Sequence, residues 1–355
     1  MLKLAKSEQL FQLLKDRIGQ MKDGERFPSV RQLMQEYNVS QFTVGPALDL
    51  LEERKLLIRK VGKGTFVRKD GEQKQYTVYY YMNDWNFDEA SRTERICHKI
   101  AQERNYNYRR IIYHHSEDVY SQLPFGEADA IIINPSRSDL SQAQVNILKN
   151  APIPIVMIRA TLHQLGLNCV GGHNVLTGTM AAEYFLKNGH RKMAILLSEP
   201  FSYTSNEIFD GYSSRIKAEG GELTVIDCKT RFGENSQMKA FTELSRYLES
   251  NHADFTAMFV ASDYSALGAL RALSEFNIKV PEQLSVLGFG GNISAALFKP
   301  SLSSIVIPLD KMADGAFDLI DQALKEKKLH GLTHIVYPEF IERESTAIAV
   351  ETISQ

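Results

Sequence analysis

"FTAMFVASDYSALGALRALSEFNIKVPEQLSVLGFGGN" occupies residues 255–292. It opens on an apolar run, 255–260, short enough for a buried strand. Residues 263–276 then carry apolar side chains at helical spacing. A second strand-like run, 284–289, follows, ending in glycines. Strand, helix and strand in this order predict two parallel neighbours with the helix on one face of a sheet. The same alternation extends back to Tyr76, through "YTVYYYM", "DAIIINPS", "IPIVMIR", "KMAILLS" and "LTVIDC". Stretches 139–149, 174–188, 206–218 and 235–249 between them have helical spacing. Roughly 270 residues is long for one such sheet, so two similar α/β lobes are expected. In doubly wound sheets a ligand binds beyond the carboxyl ends of the strands.

The first 68 residues have a different texture. Residues 7–20 read as an amphipathic helix, and 30–37 as a short second one with Ser29 at its N-cap. "NVS" is a turn, and Ser40 can cap a third helix that reaches Glu53 or Arg54. "LLIRK" and "TFVRK" alternate as two strands around "VGKG". This order describes a helix-turn-helix followed by a β-hairpin. The start of the third helix would present Gln41, Phe42 and Thr43 to base edges in a major groove. Gly62 and Gly64 would let the hairpin backbone approach a phosphate, with Arg59, Lys60, Lys63 and Arg68 supplying charge. Pro46 lies inside the third helix beside Gly45. An interior proline lacks a backbone donor and crowds the preceding turn, at a cost of ~3 kcal/mol. A bent or shortened helix is therefore expected there.

Charge distribution agrees with this division. Residues 1–75 hold 15 Lys/Arg and 10 Asp/Glu, whereas the other 280 hold 26 and 33. A small basic module on an acidic body fits one part that meets a polyanion and another that does not. Apolar residues make up 43% and charged residues 24%, ordinary for a globular protein. The amphipathic start lacks the features of a signal peptide, and no apolar run has membrane-spanning length, so a cytoplasmic protein without a membrane partner is expected. Cys97, Cys169 and Cys228 are widely separated and read as buried free thiols. His98, His114, His115, His163 and His173 show no metal-ligand spacing, and neither a metal nor a cofactor is expected. No nucleophile elbow, P-loop or GxGxxG opening a helix is present, so an enzyme is not expected.

"FPSVRQLMQEYNVSQFTVGPALDLLEERKLLIRKVGKGTFV" resembles the winged helix-turn-helix of the GntR family of bacterial transcription regulators. The resemblance covers residues 7–68 and implies DNA contacts, mostly to phosphates, from Ser29, Arg31, Ser40, Thr43, Lys63, Gly64 and Thr65. The family's two basic residues after "TV" are here Gly45 and Pro46. Residues 76–346 resemble the effector domain of the LacI family, itself similar to periplasmic sugar-binding proteins. "HNVLTGTMAAEYFLKNGHRKMAILLSEP", the opening quotation, "KPSLSSIVIPLDKMADGAFDLIDQAL" and "PEFIEREST" carry that resemblance in order. It implies two Rossmann-like lobes, three crossovers and a ligand in the cleft. The fold class expected is α/β: an N-terminal winged helix-turn-helix plus a two-lobed periplasmic-binding-protein-like domain. Its boundaries are 1–68, a linker at 69–75, and 76–355. Lobe one would comprise 76–173 and 304–327, lobe two 174–303 and 328–355.

Cleft candidates lie at strand ends. They are Asn83, Asp84, Trp85 and Phe87 after the first strand; Ser136 and Arg137; Arg159; Tyr203 and Glu207; Asp263; and Gly290. An indole such as Trp85 can stack on a sugar's C–H face. Asp263 matches a position that accepts hydrogen bonds from sugar hydroxyls, or it caps the helix that follows. Two positions depart from the LacI pattern: Ile208 replaces an arginine, and Gly290 replaces the acid of "GFD". A deoxysugar, or a sugar phosphate held by Arg137 or Arg159, is then an alternative to an ordinary monosaccharide. The function implied is a homodimeric repressor of carbohydrate-utilisation genes that binds operator DNA and releases it on binding a sugar-like effector. The alternatives are a cytoplasmic sensor with weakened DNA binding, and a regulator that responds to a non-sugar metabolite.

Overall fold

The computed structural model describes residues 6–60, 62–68, 75–84, 88–136, 139–200, 202–251, 253–327 and 330–349. The chain divides into two compact units, 1–75 and 76–355. The expected linker at 69–75 lies outside the described residues except for Gln75.

The first unit contains α1 (Lys6–Gln20), α2 (Val30–Tyr37), α3 (Gln41–Glu53), β1 (Leu57–Lys60) and β2 (Gly64–Val67). Its core gathers Leu10, Leu14, Ile18, Leu33, Val44, Leu48 and Leu51 from the three helices. Ser29 and Gln32 form a reciprocal capping box that starts α2. Asn38 ends it in the left-handed conformation, with φ 49°. β1 and β2 pair antiparallel, from Leu57 opposite Val67 to Lys60 opposite Gly64. α3 corrects the expectation of a shortened helix, because it runs without a break through Pro46. Pro46 is exposed and has no N–H to give to the carbonyl of Phe42. Val44, Ala47, Leu48 and Leu51 are buried on both sides of it. That burial, at about 1.5–3 kcal/mol for each large apolar side chain, outweighs the proline penalty.

The second unit contains two six-stranded sheets. The first begins with β3 (Thr77–Asn83), α4 (Asp88–Glu103), β4 (Asn107–Tyr113), β5 (Ala130–Asn134), α5 (Gln142–Lys149), β6 (Ile155–Ile158) and β7 (Asn168–Gly172). The chain then crosses over and builds α6 (Asn174–Lys187), β8 (Lys192–Leu197), α7 (Tyr203–Ala218), β9 (Glu222–Asp227), α8 (Ser236–Ser250), β10 (Ala257–Val260), α9 (Asp263–Glu275), β11 (Ser285–Phe289) and β12 (Ser303–Val306). A second crossover leads to α10 (Leu309–Glu326) and β13 (Thr333–Val336), and a third to β14 (Glu339–Ile341). Strand order is β13-β7-β6-β5-β3-β4 in the first sheet and β14-β12-β11-β10-β8-β9 in the second. All pairings are parallel except β12 with β14. Runs such as Ile131–Ile132–Ile133 are apolar throughout because both faces of a parallel sheet are covered.

The lobe boundaries differ from those expected at two strands. β12 pairs with β11 in the second sheet, whereas β13 pairs with β7 in the first. The second crossover therefore follows Val306 rather than preceding Ser304, and lobe one extends through β13. Both strands have four residues, so long-range backbone pairing decides which sheet each one joins.

Candidate functional site

The parallel strands of both sheets point their carboxyl ends toward one cleft. Asn83 arrives from β3, Asn134 and Ser136 from β5, and Arg159 from β6. Glu199, Tyr203, Asp263 and Asn292 face them from lobe two. Arg159 sits just beyond β6 in a left-handed conformation with φ 62°. Its Nη2 donates to Glu89 Oε2 at 2.5 Å. Glu89 reaches the cleft from the first turn of α4.

Asp263 is 2% exposed and opens α9 directly after the N-cap Ser262, so it is not itself the cap. Ser304 Oγ lies 2.8 and 2.9 Å from its two carboxylate oxygens, and the Asn292 N–H donates to Oδ2 at 2.9 Å. Burial pushes its pKa up to about 6, against the pull of these donors, and the charge of Glu89 adds to the rise. Glu199 accepts from Ser265 Oγ at 2.9 Å. Burial raises this carboxyl too, opposed by the hydroxyls of Ser265, Ser262 and Ser236. The cleft thus presents three carboxyl groups, two held toward neutrality, with Arg159 already paired to the third.

Of the expected cleft residues, Asn83, Ser136, Arg159, Tyr203 and Asp263 line it together. Trp85, Phe87 and Arg137 lie outside the described residues. Glu207 is not among the lining residues. Its carboxylate accepts from Thr161 Oγ1 at 3.0 Å and Asn174 Nδ2 at 2.9 Å, which ties the lobes behind the cleft. Gly290 lines a smaller adjoining cavity with Glu89, Arg159 and Thr161. Ile208 contributes an apolar patch where an arginine was the expected pattern. The sequence reading missed Glu89, Asn134, Glu199 and Asn292. Glu199 and Asn134 were findable, as each lies within two residues of the end of an apolar strand run.

The first unit carries the expected DNA-contacting residues at the starts of two helices and on the hairpin. Arg31 is exposed on the first turn of α2, while Ser29 is engaged in its cap. Gln41 and Phe42 are exposed at the start of α3, with Phe42 at 93%. Ser40 Oγ and Thr43 Oγ1 are 3.3 Å apart. A large apolar ring fully in solvent at a helix start is suited to a thymine methyl. Gly62 and Gly64 adopt φ of 71° and 110°, turning the hairpin so that Lys63 is exposed at its tip. The Thr65 carbonyl accepts from the Phe27 N–H at 2.8 Å and anchors the hairpin to the preceding loop. Lys60 lies over the Phe66 ring at 5.2 Å. Arg59 is paired with Asp49 at 2.9 Å and Glu52 at 3.4 Å. Exposed pairs of this kind contribute about 0–1 kcal/mol, so a phosphate can compete for the guanidinium.

Comparison with known proteins accords with both units. Residues 6–67 match the family described as bacterial regulatory proteins, gntR family, and residues 182–346 match the periplasmic binding protein-like domain. The arabinose metabolism transcriptional repressor of Halalkalibacterium halodurans is 27% identical over 343 residues, 90% of each chain. Among solved structures, a LacI family transcriptional regulator from Enterococcus faecium with bound ribose has a TM-score of 0.64 at 18% identity, covering 77% of this chain and all of that one. The lac repressor dimer bound to operator and the anti-inducer ONPF gives a TM-score of 0.68 at 18% identity, covering 78% and 96%. The chain joins a helix-turn-helix domain of the bacterial gntR regulatory family to a periplasmic binding protein-like domain.

Proposed function

We propose that this protein is a homodimeric DNA-binding repressor, acting in the cytoplasm, whose operator affinity falls when an uncharged monosaccharide occupies the cleft. The observation that carries this reading is the cleft's polar lining, drawn from both lobes. Asp263, Glu199 and the Glu89–Arg159 pair offer acceptors and donors to hydroxyl groups, while Ile208 and Phe289 offer apolar surface. The relative named for arabinose metabolism and the neighbour with bound ribose support a pentose. The excess of carboxyl groups speaks against a sugar phosphate, because Arg159 is neutralised by Glu89. Ligand binding across the cleft would favour one arrangement of the lobes. It changes DNA affinity only through its differential affinity for the two states.

Thermal unfolding against arabinose, ribose, xylulose and their phosphates tests the effector half. A neutral sugar at 100 times its dissociation constant should stabilise the binding state by about 2.7 kcal/mol. Stabilisation by phosphorylated sugars alone would overturn the assignment.

A further inference from the structure

β3 and β4 pair in parallel register up to Asn83 opposite Tyr113, so the residues that follow leave the sheet side by side. Asp84 N–H donates to the Tyr113 carbonyl at 2.9 Å, and His115 N–H donates to Asp84 Oδ1 at 3.0 Å. These bonds hold three chemistry-bearing side chains against one another. His115 Nδ1 is 3.2 Å from Asp84 Oδ1, and His114 Nε2 is 3.7 Å from Asp84 Oδ2. One ligand atom from each lies within 4.8 Å of the other two.

We propose that Asp84, His114 and His115 bind one divalent transition-metal ion of the zinc or nickel class at the edge of the effector cleft. Two imidazole nitrogens and a carboxylate oxygen suit such borderline ions, whereas magnesium and calcium prefer all-oxygen sets. Bonds of about 2.0–2.2 Å need ligand atoms roughly 3–3.5 Å apart. The carboxylate already stands near that distance from both rings, and closing the gap needs only rotation of the exposed His114 ring and the part-exposed His115 ring. His114 is pre-aligned for this. Its Nδ1 lies 2.7 Å from Ser116 Oγ and 3.3 Å from Ser116 N, which turns Nε2 toward Asp84; metal binding at Nε2 places the ring proton on Nδ1, where the Ser116 hydroxyl accepts it. Outer partners of this type fix the tautomer and orientation of a ligating histidine.

Three protein ligands leave a coordination position open for water. The site is joined to the cleft wall, because Ser136 Oγ donates to the His115 carbonyl at 3.3 Å and Ser136 lines the cleft. Adjacent histidines after a strand carry none of the separated spacing by which metal sites are read from sequence, so the grouping of Asp84 with the pair emerges only through strand pairing.

Isothermal titration of the full chain with zinc chloride and nickel chloride tests the proposal, with magnesium chloride as control. One zinc ion per chain is expected, with no magnesium binding, and His114→Ala, His115→Ala and Asp84→Asn should each weaken zinc affinity by roughly tenfold or more. All three positions are at least part-exposed, so the folded fraction is checked by circular dichroism. If any one variant does not fold, the other two decide. Absence of zinc binding, or binding that the folded variants leave unchanged, overturns the proposal. Neither outcome depends on which effector the cleft holds.

Discussion

The carboxylate of Glu89 occupies the space that a side chain at Gly290 would need. An ideal Cβ on Gly290 would stand 1.9 Å from Glu89 Oε1. Glu89 belongs to lobe one and Gly290 to lobe two, so the notch left by the missing side chain is where one lobe seats against the other. Arg92 Nη1 donates to the Gly291 carbonyl at 2.6 Å and holds the same seam.

Gly290→Ala should therefore destabilise the second unit by about 1–3 kcal/mol, through overpacking and through a φ of 121° that alanine resists. Chemical denaturation of this variant, of Glu89→Ala and of the double variant separates the two causes. In the Glu89→Ala background the substitution should cost less, because only the backbone strain remains. Equal costs in both backgrounds would remove Glu89 from the seam.

Asp263 sets a pH dependence with a definite sign. Its folded pKa of about 6 stands above the ordinary 3.8, so the native state holds more protons between those values. Its contribution is fully present below about pH 4 and is lost as pH rises through 6. Raising the carboxyl from 3.8 to about 6 corresponds to roughly 3 kcal/mol. Asp263→Asn should flatten stability against pH over that window, as read from urea midpoints at pH 4.5 and 7. An unchanged slope would place the titration elsewhere.

Gly45→Ala should stabilise the first unit. An added Cβ there meets nothing within 4 Å, and a helix-interior glycine costs about 0.5–1 kcal/mol against alanine. Pro46→Ala restores a donor for the Phe42 carbonyl and should stabilise further. Thermal unfolding of the full chain, followed by amide exchange within α3, would show the first unit's melting temperature moving up.

Much of this architecture was legible because period and composition speak locally. The three consecutive isoleucines of β5 and the Ser29 cap follow from side-chain chemistry within a few residues. The sheet to which β12 and β13 each belong did not, since any short β-branched run can pair with either edge. Pro46 obeyed packing rather than its local preference. In the cleft, strand ends gave Asn83, Arg159 and Asp263, but Glu89 enters from a helix and meets Gly290 only when the two lobes are built. Glu207 was read as a ligand group because its position follows a strand, yet Asn174 and Thr161 claim its carboxylate.

On DNA, the roles of exposed residues should separate. Arg31→Ala should weaken binding to all sequences alike and lower the salt slope by about one, as for a phosphate contact. Gln41→Ala should mainly relax sequence choice, by about 1–3 kcal/mol at one base pair. Arg59→Ala should have the smaller effect, since a phosphate must first displace Asp49 and Glu52 from that guanidinium, which offsets part of the contact. Fluorescence anisotropy on matched and mismatched duplexes reads each of these.

The most direct test joins the two units. Binding of the full chain to DNA from upstream of its own gene would be measured by anisotropy at two salt concentrations, with and without arabinose, ribose and xylulose. The account predicts an affinity that falls steeply with salt, and at least one neutral sugar that weakens it by about 5–150-fold. A sugar that stabilises the second unit yet leaves DNA affinity unchanged, or DNA binding indifferent to salt, would contradict it.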